Sequence, residues 1–337
     1  MHKGQVTIKD IARELGISPS TVSRALKDHP DISPETKEAV QELARKLNYT
    51  PDPIALSLKS RQSKIIGVIV PDIVHYFFST VIHGIEDVAY NSDYHVMVCE
   101  SNETYEREVK NVETLLSSRV DGILVSVSKE TKDSDHFRRI QQAGVPIVFF
   151  DRVRKDIDTD QVVVDDEVGA YMAVDHLITT GRRRIALLGS EEHLLIGAER
   201  KAGYLRALEQ HGIPAEPSLM TKCDTPEQAE KTVPELLATA DPPDAFFAVN
   251  DLTAAVTLRI VKQHGFSVPG EIAIVGFTNG QISALTDPTL SSVEQFGYEM
   301  GKKAVQLLID RLTAKSDYPS LKHVIETKLV VKGSSGR

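Results

Sequence analysis

The sequence predicts a small three-helix head joined to a larger α/β body built as two similar halves. Three observations carry this. Capped amphipathic helix patterns fill the first fifty residues, short apolar runs alternate with helical segments from Lys64 onward, and a second set of such runs begins at Val162.

Ile8, Ile11, Ala12 and Leu15 fall at i, i+3, i+4 and i+7, so they share one helical face. Thr7 precedes them with Asp10 three residues on, the form of a capping box, and the helix therefore starts at a defined residue. Gly16 supplies the left-handed residue that ends it. Ser18-Pro19 then gives the next helix an N-cap and a proline at its first position. Val22, Ala25 and Leu26 make the apolar face of that helix, leaving Ser20, Thr21, Ser23 and Arg24 on or near its open side. Helices joined by a turn of about three residues cross steeply, as in a helix-turn-helix, whose second helix enters a DNA major groove. The same residues also fit a capped helical hairpin on a core. Ser33-Pro34-Glu35 repeats the start signal, and Ala39, Val40, Leu43 and Leu47 give a third amphipathic helix ending at Asn48-Tyr49. Residues 1–50 are thus expected to form a complete head.

Residues 51–63 read as a linker through Pro51, Asp52 and Pro53. Asp52-Pro53 also caps a brief helix over 54–59, too short to be stable alone in water and ordered only against a partner copy and DNA. A plain linker fits these residues equally well.

In the body, residues 65–70, 95–98, 122–125 and 146–150 are near-continuous apolar runs, as strands covered on both faces should be. Helical segments separate them near 78–91, 103–118 and 135–143. A second set of runs at 162–164, 184–189, 245–249 and 272–277 alternates with helices near 167–180, 198–211, 226–238 and 252–264. Two such halves imply a cleft lined by the C-terminal ends of strands. No glycine-rich dinucleotide fingerprint, phosphate loop or activated nucleophile follows any strand, so an enzyme is not expected.

Composition sets further bounds. A chain of 337 residues suggests two or three domains, and 41% hydrophobic with 26% charged residues is globular. No apolar run approaches the roughly 20 residues of a membrane span, and no signal region precedes the first helix; a cytoplasmic location is expected. Cys99 and Cys223 stand apart from each other and from any His cluster, so neither a disulfide nor a metal site is expected, and no cofactor. The net charge of −9 is uneven: residues 1–64 carry +3, leaving −12 for the remainder. A mildly basic head on an acidic body suits a nucleic-acid binder better than the total does.

With these parts in this order, the chain resembles the lactose-repressor (LacI/GalR) family of bacterial transcription regulators, from Val6 to about Val331. Thr7-Ile8-Lys9-Asp10-Ile11-Ala12, Ser20-Thr21-Val22-Ser23-Arg24-Ala25-Leu26, Asn48-Tyr49-Thr50-Pro51, Val120-Asp121-Gly122-Ile123 and Asp287-Pro288-Thr289-Leu290-Ser291-Ser292-Val293 carry the resemblance. It implies a body like a periplasmic sugar-binding protein. The first half would span about 64–160 plus 293–322 and the second about 161–292 plus 323–337. It implies a homodimer on a pseudo-palindromic operator in double-stranded DNA, controlled allosterically by a sugar, sugar acid or sugar phosphate in the cleft. By resemblance, Pro19, Ser20 and Arg24 face base edges, Thr21 and Ser23 lie nearer phosphates, and Thr7, Ser18 and His29 complete the DNA-facing set. Arg24 can make a bidentate contact to guanine, whereas Pro19 offers only apolar contact. Leu58 takes the place of a minor-groove wedge that kinks the duplex. The effector positions carried over are Phe77, Phe78, Asp151, Arg152, Arg200, Asn250, Thr278, Asn279 and Gln295; Asp151 and Asn250 also suit plain capping roles.

The sequence departs from the family pattern at Gly276-Phe277-Thr278-Asn279-Gly280, where many relatives carry an acidic pair after Gly-Phe. With Arg152 and Arg200 nearby, that change admits an anionic effector. The residues after Val331 hold no apolar heptads for a tetramerising coiled coil, so a two-fold dimer is expected. A transport sugar-binding protein would share the body but lack the head.

Overall fold

The computed structural model describes residues 6–49, 62–314, 316 and 319–336. The chain divides into two compact units, Met1–Lys64 and Ile65–Arg337. The expected hinge helix and its Leu58 lie outside the described residues.

The head consists of α1 (Ile8–Leu15), α2 (Pro19–Leu26) and α3 (Pro34–Lys46). Thr7 donates its N–H and its hydroxyl to the Asp10 carboxylate at 3.0 and 2.7 Å, which fixes the start of α1. Gly16 ends α1 at φ 66°, a conformation that costs a residue with a side chain. Ser18 accepts the Thr21 N–H at 3.1 Å and Ser33 that of Thr36 at 3.3 Å, each ahead of a proline in the first turn. Ile11, Ala12, Val22, Ala25, Val40, Leu43 and Ala44 meet in the head's core.

Among the described residues the body holds two six-stranded sheets. The first half alternates β1 (Ile65–Val70), α4 (Tyr76–Asn91), β2 (His95–Glu100), α5 (Tyr105–Ser117), β3 (Gly122–Val125), α6 (Asp135–Gln142), β4 (Ile147–Phe150) and β5 (Asp160–Val164). The second runs through α7 (Asp166–Thr179), β6 (Ile185–Gly189), α8 (Leu195–Gln210), β7 (Met220–Lys222), α9 (Pro226–Leu237), β8 (Ala245–Ala248), α10 (Asp251–Gln263), β9 (Ala273–Thr278), α11 (Gln281–Leu285) and β10 (Ser291–Glu294). The chain then returns to the first half as α12 (Gly297–Thr313) and β11 (Lys322–Ile325), and ends in the second as β12 (Lys328–Val330). The sheet orders are β11-β5-β4-β3-β1-β2, parallel throughout, and β12-β10-β9-β8-β6-β7, with only β12 antiparallel.

Three assignments differ from the sequence reading. The run 162–164 belongs to the first sheet as part of β5, not to the second set. β4 and β5 are joined by a loop with no crossover helix, so the β–α alternation breaks inside the first half and mimics a boundary. β10 belongs to the second sheet and β11 to the first, so the first half does not take residues 293–294 nor the second residues 323–325. The buried strands β5 and β10 carry no mark of which sheet receives them, and β11 is an exposed strand placed by its pairing with β5. The chain therefore crosses between halves three times, near 165, 295–296 and 326–327.

α12 lies against α4 over the first sheet, and glycines set that distance: a β-carbon at Gly84 or Gly301 would run into the carbonyl of Tyr298 or Val81. Both sheets are covered on each face by buried aliphatic and aromatic side chains, in four clusters. This rigidity leaves the strand ends to face one another across the cleft. Among the described residues no helix is long and apolar enough to cross a membrane.

Candidate functional site

The expected DNA-facing side chains of the head are open to solvent. Thr7, Ser18, Pro19, Ser20, Arg24 and His29 are exposed and Thr21 and Ser23 half-exposed. The Ser18 hydroxyl lies 2.7 Å from that of Ser20 and 2.8 Å from that of Thr21, so three hydroxyls cluster at the start of α2 with its unsatisfied amides. Such a helix start attracts phosphate. The His29 Nδ1 accepts the Asp31 N–H at 3.3 Å and so braces the loop after α2. Among the described residues no carboxylate pairs with Arg24.

In the body, a cavity of about 260 Å³ lies between the halves at the strand ends. Phe77 and Phe78 open α4 at its floor, Asp151 and Arg152 follow β4, and Arg200 reaches in from α8. Asn250 precedes α10, Thr278 ends β9 and Gln295 follows β10. Eight of the nine expected effector positions thus come together from both halves. Thr278 donates to the Gln295 side-chain carbonyl at 3.0 Å, and both are buried. Asn250 takes the capping role, accepting the Thr253 N–H at 2.8 Å, and also gives Nδ2 to the Asp224 carbonyl at 2.9 Å. Each of its side-chain atoms keeps capacity for one more bond.

Asn279 is the exception. Its Nδ2 donates to Glu294 at 2.7 Å and its Oδ1 accepts the Lys332 ammonium at 2.7 Å, away from the cavity lining. Beside it Asp251 accepts the Gly280 N–H at 2.7 Å and the Ser292 hydroxyl at 2.5 Å, and burial pushes its carboxyl up to about 6. Residues 278–280 are held as a loop brace, and Thr278 alone of the departing pair faces the cavity.

Each cation at the cavity has a carboxylate partner. The Arg152 guanidinium binds Glu103 at 2.8 Å, the Arg200 Nε binds Asp166 at 2.7 Å, and the Lys129 ammonium binds Asp224 at 2.8 Å. Arg200 also donates to the Val249 carbonyl at 2.6 Å and lies 3.9 Å over the Phe277 ring. Burial pushes the Asp151 carboxyl up to about 6, opposed by Arg152. Among the described residues its one hydrogen-bond donor is the Ser126 hydroxyl at 3.4 Å, and it sits at φ 58°. Burial also raises Asp166 despite Arg200, and burial with the Arg152 charge holds His75 below its ordinary value. Among the described residues the buried Arg152 Nε has no hydrogen-bond partner, its nearest carboxylate being Asp151 at 3.9 Å. A ligand rich in hydroxyls would meet acceptors at Asp151 and Gln295 and donors at Arg152 and Asn250.

The sequence reading missed Asp72, His75, Glu103, Lys129 and Asp224, all of which line the cavity. Asp72, Glu103, Lys129 and Asp224 each stand two to four residues beyond a strand, β1, β2, β3 and β7 respectively. The rule that ligands bind at strand C-terminal ends would have found them. Among the described residues no group of His, Cys, Asp and Glu side chains is placed to hold a metal ion.

Comparison with known proteins agrees with this geometry. Residues 7–52 match the bacterial regulatory proteins of the lacI family, and residues 174–335 match the periplasmic binding protein-like domain. Catabolite control protein A of Priestia megaterium is 32% identical, over 97% of this chain and 99% of its own length. The HTH-type transcriptional repressor CytR of Escherichia coli (strain K12) is 31% identical, over 98% and 96%. The solved structure of a transcriptional regulator CelR-cellobiose complex superposes with a TM-score of 0.75 at 27% identity, covering 98% of this chain and all of that one. A DNA-reading head and a ligand-binding body in this order, matched end to end by such relatives, place the chain in the LacI family of bacterial transcriptional regulators.

Proposed function

We propose that this regulator binds a pseudo-palindromic operator as a homodimer and that an uncharged sugar in the cavity sets its affinity for DNA. In this reading Thr7, Ser18, Thr21, Ser23 and His29 position the head on phosphates, Pro19, Ser20 and Arg24 meet base edges, and Leu58 wedges the minor groove. Exposed apolar side chains on the body, Val74 at 86% and Leu285 at 82% with Tyr76, Tyr90, Val98 and Leu252, suit contact with a second copy. The protein acts in the cytoplasm and the cavity binds and releases its ligand without chemistry.

One observation carries the choice of effector. Each cation at the cavity, Lys129, Arg152 and Arg200, already has a carboxylate partner, while Asp72 and Asp151 also face the space. A sugar acid or sugar phosphate would bring its charge to a surplus of carboxylates. A neutral sugar instead donates hydroxyls to Asp151 and lays its apolar face on Phe77 and Phe78. Relatives solved with cellobiose and with ribose bind neutral sugars. To change operator affinity 100-fold, the sugar need favour one body conformation by only about 2.7 kcal/mol. A thermal-shift screen of neutral mono- and disaccharides, sugar acids and sugar phosphates tests this: a concentration-dependent rise is expected with a neutral sugar. A rise confined to acids or phosphates would reject the reading.

A further inference from the structure

A chain of polar contacts runs round the cavity from one half to the other. In the first half the Asp151 carboxylate lies 3.9 Å from the Arg152 Nε, Arg152 binds Glu103 at 2.8 Å, and Glu103 accepts the Lys129 N–H at 2.9 Å. In the second half the Asn250 Nδ2 donates to the Asp224 carbonyl at 2.9 Å. The Lys129 ammonium on the Asp224 carboxylate, at 2.8 Å, joins the two series across the cleft. A second grip falls on the same residue, for His193 donates Nε2 to the Lys129 carbonyl at 2.6 Å. Next to it Leu195, also from the second half, packs on the first half's core.

We propose that Lys129 is the clasp of the cleft, a positioning residue whose link to Asp224 and His193 converts occupancy of the cavity into closure of the two halves. The proposal rests on the effector reading above. All three polar groups of Lys129 are engaged: its N–H is anchored within its own half, and its carbonyl and ammonium are held by the other. The Asp224 side chain is 6% exposed and that of Lys129 26%, so the pair is mostly out of water. Opening the cleft rehydrates both charges, and desolvation and attraction offset each other in such a pair. A link of small net strength is what a switch needs, because a few ligand hydrogen bonds can then decide its state. A hydroxyl bound to Asp151 or Asn250 would tighten one end of the series or the other.

Hydrogen exchange on the full-length protein without ligand tests the clasp apart from the effector. Lys129→Met keeps the aliphatic stem and should speed exchange about tenfold in residues 126–134 and 190–196, with 147–150 unchanged as an internal reference. Asp224→Asn should do the same, the double variant should add nothing to either single one, and Lys129→Arg should keep protection. Unchanged exchange in Lys129→Met, additive effects, or acceleration that spreads to 147–150 would overturn the proposal. Any of these would leave the outcome of the sugar screen standing, and a screen without binding would leave the exchange result standing.

Discussion

Replacing Arg200 with alanine is expected to cost the body about 3–5 kcal/mol, because it strands Asp166. The two side chains meet at 2.7 Å with 7% and 2% exposure, so the pair is largely out of water. The bond to the Val249 carbonyl and the stacking on Phe277 go as well. Burial already raises the Asp166 carboxyl, so proton uptake limits the penalty from above. At about 2 °C per kcal/mol for a body of this size, the thermal midpoint should fall by about 6–10 °C. Adding Asp166→Asn removes the stranded charge and should recover most of that loss. Thermal unfolding of the wild type, both single variants and the double variant at pH 7.5 closes the cycle. A fall of less than about 2 °C in Arg200→Ala, or losses that simply add, would refute the argument. The cycle also separates roles, since a missing sugar response in the repaired double variant reports on binding and not on folding.

Two further outcomes follow from the site. In the proposed reading Asp151 accepts sugar hydroxyls as a carboxylate; burial pushes that carboxyl up to about 6, so protonation removes the stronger acceptor as pH falls through that value. Calorimetry with the sugar found in the screen should give about tenfold weaker binding at pH 5 than at pH 7.5 and a flat profile in Asp151→Asn; a flat wild-type profile would clear Asp151 of contact. Arg24→Ala should lower operator affinity by about 1–3 kcal/mol while leaving random duplex binding nearly unchanged, and equal loss on both would contradict base readout.

The head was legible because its signals are local. Thr7 with Asp10, Gly16, Ser18-Pro19 and Ser33-Pro34 each act within one turn of helix, and each stands at the helix end it was expected to mark. In the body the central strands were equally plain, but the sheet edges were not, since β5 pairs with β4 just before it across a loop without a helix and β11 returns to β5 from near the end of the chain. The sequence reading named no helix over 297–313, although α12 buries Met300, Ala304, Val305 and Leu308 at helical spacing. The cavity positions carried by resemblance came together except Asn279, whose partner Lys332 stands 53 residues away. For the same reason the pairing of Arg152 with Glu103 and of Arg200 with Asp166 could not be read from either arginine.

The triple passage of the chain between halves bears on how the molecule is made. The first sheet takes its last strand from Lys322–Ile325 and the second its last from Lys328–Val330. During synthesis the early half must wait, its α4 face open and one edge bare, until nearly all of the later half has been translated. Neither lobe is then a unit that a ribosome can finish and set aside, and a frameshift shortly before Lys322 would deprive both at once.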